Sequence, residues 1–90
     1  MHDLLAAKEI IDEVVENAKK NNLKKVSKVI IELGAKEYSH GDHTHTETIL
    51  PENLEFNLKL LAKNTVAKNA EFVIKKSDIP DILVKEIEGD

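Results

Sequence analysis

The chain contains no cysteine, no tryptophan and no arginine in 90 residues. Without cysteine there are no disulfides, no thiol nucleophile and no zinc or iron–sulfur site built on thiolates. Any metal must therefore use imidazole, carboxylate, amine or backbone donors. All thirteen cations are lysine and the net charge is −4. A sequence-specific nucleic-acid binder normally shows a basic field and arginine forks, so nucleic acid is not an expected partner. Only three glycines occur, at 34, 41 and 89, and no glycine-rich phosphate loop can be drawn through them. Ser27, Ser39 and Ser77 lack the flanks of a nucleophile elbow, and no carboxylate pair stands out, so no enzyme is expected. No apolar run approaches the ~18 residues of a membrane span. The N-terminus lacks a basic-then-apolar leader. The expectation is a soluble cytoplasmic protein without membrane attachment.

Aromatic residues are nearly absent as well, being Tyr38, Phe56 and Phe72. The core must be aliphatic. Leucine, isoleucine, valine and phenylalanine make up 31% of the chain, above the ~20% that marks intrinsic disorder. At this length they serve a single domain, 1–90.

Residues 3–22 read as an amphipathic helix. Leu4, Ala7, Ile10, Ile11, Val14, Val15 and Ala18 fall on one stripe at helical spacing. Leu5 lies off it. Asp3 suits an N-cap and Asn21-Asn22 a stop. Residues 25–34 read as a strand, with Val29, Ile31 and Leu33 on one face, and Val26 and Ile30 on the other with Lys28 and Glu32. Gly34 ends it. Lys19, Lys20, Lys24, Lys25 and Lys28 cluster near the helix end. They read as a solvated face, with a docking patch for an acidic partner as the alternative. Residues 35–50 are polar and read as irregular. Pro51 opens a second helix that runs to about Lys63. Its main stripe is Leu54, Leu58 and Leu61. Ile49, Phe56 and Leu60 form a second stripe, as expected of a helix between two neighbours or of a subunit contact. Asn64 suits a left-handed C-cap. Residues 70–76 and 82–88 read as strands joined by a short reversal over 77–81. The fold class is α+β: two helices on one face of a three-stranded mixed sheet, in the order α-β-α-β-β. The strands flanking the second helix should be parallel and the last two antiparallel.

Two constellations carry metal chemistry. In Met1-His2-Asp3, an α-amine, the His2 amide nitrogen and its imidazole can close fused chelate rings on one ion. Asp3 adds a carboxylate or an amide. Nitrogen-rich tetragonal sites suit Ni(II) and Cu(II) and fit iron, calcium or magnesium poorly. Amine and imidazole titrate near ~7.7–8.0 and ~6.5, so uptake should weaken below about pH 6.5. On spacing alone, a frayed His2 beside a capping Asp3 explains the segment more simply. The second constellation is His40-Gly41-Asp42-His43-Thr44-His45, followed by Glu47. In extended chain His43 and His45 lie on one side, and three imidazoles with a carboxylate suit zinc, nickel or copper. The alternative is a polar loop of free histidines.

Several segments, in order, resemble the HypA family of nickel-maturation proteins. They are Met1-His2-Asp3-Leu4; Lys25 to Val29 with Glu32-Leu33-Gly34-Ala35; Pro51-Glu52-Asn53-Leu54-Glu55-Phe56; Lys63-Asn64-Thr65-Val66-Ala67 with Ala70-Glu71; and the closing Ile82 to Glu88. The resemblance implies a nickel-binding domain with ligands at His2 and position 3, where Asp3 replaces the family's glutamate. It also implies a maturation GTPase as partner and a nickel-enzyme client, hydrogenase or urease. The family's zinc module of two Cys-x-x-Cys pairs has no counterpart; Ser77 to Asp81 stand in its place, so no zinc held by four cysteines is expected. The leading expectation is a metallochaperone-like protein holding Ni(II) through Met1, His2 and Asp3. The alternatives are an interaction module that docks a partner or forms a homodimer through Phe56 and Leu60, and a metal buffer using His40, His43 and His45.

Overall fold

The structure is a computed structural model that describes residues 2–34, 36–40, 43–47, 49–79 and 81–90, with side chains for 4–34, 49–79 and 81–90. The elements are α1 (His2–Lys20), β1 (Val26–Leu33), β2 (Lys36–His40), β3 (His43–Glu47), α2 (Pro51–Ala62), β4 (Glu71–Lys76) and β5 (Ile82–Gly89). The expected α+β class is borne out, with two helices and a three-stranded mixed sheet.

The α1 stripe forms as its spacing dictates. Ala7, Ile10, Ile11, Val14 and Ala18 are buried, joined by Ala6, and Leu5 is exposed. The helix already begins at His2, which places Asp3 inside the first turn rather than at an N-cap. The other end is a Schellman stop. Asn22 adopts the left-handed region at φ 57. Its amide donates to Lys19 O at 3.2 Å, and the Leu23 amide donates to Ala18 O at 2.8 Å. Asparagine tolerates this conformation better than other non-glycine residues.

The second helix opens on Pro51, whose missing N–H would have had no partner in the first turn. Leu54, Leu58 and Ala62 are buried, and Leu61 packs at the core's edge. The second stripe divides. Ile49 joins the core, whereas Phe56 is 67% and Leu60 47% exposed, so the helix is not enclosed between two neighbours among the described residues. The left-handed cap expected at Asn64 is also absent: among the described residues only Asn22 combines a side chain with positive φ. Thr65 ends α2 instead. Its hydroxyl donates to Ala62 O at 2.9 Å and accepts from the Ala67 amide at 3.1 Å.

The main sheet has the order β4-β1-β5. β1 lies parallel to β4, with Val29 opposite Phe72, and antiparallel to β5, with Val29 opposite Ile87. The parallel crossover through α2 is as expected. The two last strands, however, are not neighbours; they flank β1 on opposite edges. The link 77–81 therefore passes across the end of β1 instead of making a hairpin turn. It is fastened there on both sides: the Ser77 amide donates to Leu33 O at 3.0 Å and the Gly34 amide to Asp81 O at 2.9 Å. Gly34 is required at this crossing, because a Cβ there would collide with the carbonyl of Ile79.

Val29, Ile31 and Leu33 point beneath the helices and are buried, and Ile74, Ile82, Val84 and Ile87 close the core around them. Val26 departs from the expected alternation and is buried with them. The pairing with β5 shifts register between Val26 and Lys28, and the Val26 amide turns to Val66 O at 2.9 Å. The register shift changes which way the strand presents its side chains. On the opposite face Lys28, Ile30 and Glu32 are half-buried, and Lys85 Nζ donates to Glu32 Oε1 at 3.0 Å.

The segment expected to be irregular contains an antiparallel hairpin. β2 and β3 form their own two-stranded sheet, with Ser39 opposite Thr44 and Glu37 opposite Thr46. Threonine favours extended chain, and two five-residue runs separated by Gly41-Asp42 are a hairpin signal. The lack of apolar alternation obscures it in the sequence.

Candidate metal centre

The first candidate site sits at the start of α1. Met1 lies outside the described residues, as do the side chains of His2 and Asp3; the backbone of both belongs to the first turn of α1. What the structure places is the end of the molecule from which these residues start. The first half of α1 lies over the beginning of β5: Ala6, Glu9, Ile10 and Glu13 line a shallow cavity of about 110 Å³ with Asp81, Ile82, Leu83 and Val84. Its far end lies over the end of β5, where Asn17, Asn21 and Leu23 line a second hollow with Ile87, Glu88 and Gly89. Ile82 pairs with Leu33 at the finish of β1. The helix start, the 77–81 link and the root of the β2–β3 hairpin therefore share one end of the sheet.

A first turn carries unpaired amides and the positive end of the helix dipole. A carboxylate at position 3 is electrostatically at home there, and so is a deprotonated or anionic metal ligand. In sequence, positions 1 to 3 precede the buried stripe of α1, which begins at Ala6 among the described residues.

The second constellation divides between the two strands of the hairpin, His40 closing β2 and His43 and His45 in β3. The register pairs His40 with His43 and Tyr38 with His45. The side chains of these residues lie outside the described set. Among the described residues no group of three or more His, Asp or Glu side chains forms a metal cluster. No helix among them is long and apolar enough to cross a membrane.

The lysine cluster is rearranged by the fold. Lys24 and Lys25 meet Lys63 and Lys68 around a cleft that also takes in Asn64, Asn69 and Asp90. Lys19 belongs to a different groove, between the helices, beside Glu16 and Leu61. Lys28 stands in the sheet opposite Glu71 and Glu88. Sequence proximity groups Lys19, Lys20, Lys24, Lys25 and Lys28, but only the turn after α2 brings in Lys63 and Lys68. The same applies to Phe56 and Leu60: spacing puts them on one stripe, and the fold leaves both in solvent.

Comparison with known proteins converges on one family. Residues 1–80 match the family described as "Hydrogenase/urease nickel incorporation, metallochaperone, hypA". The hydrogenase maturation factor HypA of Methanobrevibacter smithii is 36% identical over 80 residues, covering 89% of this chain and 54% of that protein. The HypA of Caldanaerobacter subterraneus is 36% identical over 75 residues, covering 83% of this chain and 57% of its own. The chain thus spans about half the length of the curated relatives it matches. The solution structure of the Ni metallochaperone HypA from Helicobacter pylori superposes with a TM-score of 0.65 at 15% identity, covering 93% of this chain and 70% of that one; at that identity the likeness is one of fold. On the family match across residues 1–80 and these relatives, the chain belongs to the HypA family of hydrogenase/urease nickel-incorporation proteins.

Proposed function

We propose that the protein is a nickel-binding metallochaperone that delivers Ni(II) for maturation of a nickel enzyme, of the hydrogenase type. The observation that carries the reading is the family match beginning at residue 1, which includes His2. The ligands would be the amine and amide nitrogens at Met1 and His2, the His2 imidazole and a donor from Asp3. This nitrogen-rich set fits a tetragonal Ni(II) ion. The place of His2 and Asp3 in the first turn of α1, preceding the buried stripe in sequence, supports release by ligand exchange without unfolding. In keeping with the family, a maturation GTPase and the client enzyme are the partners, in the cytoplasm. The chain would act as a single nickel-binding domain, 1–90, in which the five residues 77–81 replace the zinc module.

The test is calorimetric titration with nickel on untagged protein beside His2→Ala at about pH 7.5. One tight equivalent that the variant loses is the expected result. A variant that binds like its parent refutes the N-terminal chelate. Because protons compete for amine and imidazole, uptake should also fall as pH drops below about 6.5.

The exposure of Phe56 and Leu60 favours a second role alongside the first, a contact with a partner or with another copy. Under this reading Phe56→Asp changes the sedimentation coefficient of the protein, or abolishes capture of the GTPase, while nickel stoichiometry stays the same.

A further inference from the structure

Three of the chain's four histidines lie in the β2–β3 hairpin. The pairing sets His40 opposite His43, Tyr38 opposite His45 and Lys36 opposite Glu47. In an antiparallel ladder opposite positions share a face, and so do positions two apart on one strand. His40, His43 and His45 therefore occupy one face of the hairpin. Glu37, Ser39, Thr44 and Thr46 occupy the other. Glu47 falls on the histidine face, one step beyond His45.

We propose that this face, where the register brings positions 40, 43 and 45 and their three histidines together, is a second metal site for one borderline divalent ion such as Ni(II). Opposite positions have Cβ atoms about 4.5–5.5 Å apart, a spacing that two imidazoles can span through one ion with metal–nitrogen bonds of about 2.0–2.1 Å. The third histidine brings the number of imidazole-bearing positions on that face to three. Imidazole donors favour nickel, copper and zinc over calcium and magnesium, which take oxygen. The strand pairing and the metal support each other. A two-stranded hairpin is marginally stable in water, and an ion bridging its strands adds binding free energy to the paired register. The site involves neither Met1, His2 nor Asp3, so it stands or falls apart from the N-terminal chelate.

The experiment uses the full chain carrying His2→Ala, titrated with Ni(II) alone. A further variant exchanges two neighbours, Thr44→His with His45→Thr. It keeps the number of histidines and moves one to the opposite face. The His2→Ala chain should still bind one equivalent, more weakly than the N-terminal chelate of the parent, and the exchange should weaken that binding at least tenfold. Amide hydrogen exchange over 36–40 and 43–47 should slow on adding the metal. It also reports whether the exchanged hairpin still pairs; if it does not, His45→Gln replaces it with the same loss expected. Equal affinity after the exchange, or no binding by the His2→Ala chain, overturns the site. A single equivalent in the parent that ignores His2→Ala but is lost on the exchange leaves the hairpin site standing and removes the N-terminal one.

Discussion

The helix-covered face of the main sheet and the β2–β3 hairpin are both β-structure, yet they are built from different residues. On the sheet, Val29, Ile31 and Leu33 are buried in one cluster with Leu54, Leu58 and Val14, and removal of apolar surface from water fixes the register. The hairpin consists of Lys, Glu, Tyr, Ser, His and Thr, and its ladder is a separate sheet. Burial dictates the first, whereas the composition of the second offers no apolar alternation that could do so. The proposed metal ligands come from the hairpin and from the residues that precede the buried stripe of α1 in sequence. Substitutions in the sheet should therefore change stability without changing metal chemistry, and those at the ligands should do the reverse.

The largest stability loss is expected at Leu58, which is fully buried. Leu58→Ala should cost about 2–5 kcal/mol in urea unfolding, with nickel stoichiometry intact wherever the variant is folded. A variant that lost stoichiometry while still folded would break the division. Gly34→Ala comes next, on the order of 1–3 kcal/mol, because the 77–81 link must move to admit the methyl group. This variant sharpens the comparison, since the link lies at the same end of the sheet as the start of α1; a shift in nickel affinity would show that the scaffold positions the chelate. Asn22→Ala should cost about 1 kcal/mol through its left-handed conformation and leave metal uptake untouched. Lys85→Ala removes an exposed cross-strand pair with Glu32 and should cost under about 1 kcal/mol. His2→Ala should move the metal-free unfolding midpoint least of all, while abolishing the tight equivalent of nickel.

Much of the scaffold is legible in the sequence because burial imposes period. The α1 stripe, the Val29-Ile31-Leu33 face and the Leu54-Leu58 ridge follow from spacing alone. The differences have physical sources. A five-residue link looks the same in sequence whether it turns back or crosses over a neighbour; only the steric demand at Gly34 distinguishes them, and that demand belongs to the assembled sheet. Asn64 and Asn22 have equal intrinsic tolerance of positive φ, but the hydroxyl of Thr65 ends α2 in another way. The hairpin is hidden because its alternation is polar against polar. Of the candidate ligands, His2 and Asp3 stand out through family resemblance, since spacing alone fits a capped helix start more simply. The histidine face needs the register, because sequence shows that His43 and His45 alternate together but not that His40 pairs opposite them.

The most direct measurement is a backbone NMR map of the metal-free protein with one equivalent of Ni(II) added. The nickel-chaperone reading predicts that amide resonances in the first turn of α1 change, with smaller shifts in the adjoining 81–84 segment, while those of Val29, Ile31, Leu54 and Leu58 hold their positions. A first turn left unperturbed by the first equivalent, with the changes appearing elsewhere, would contradict it.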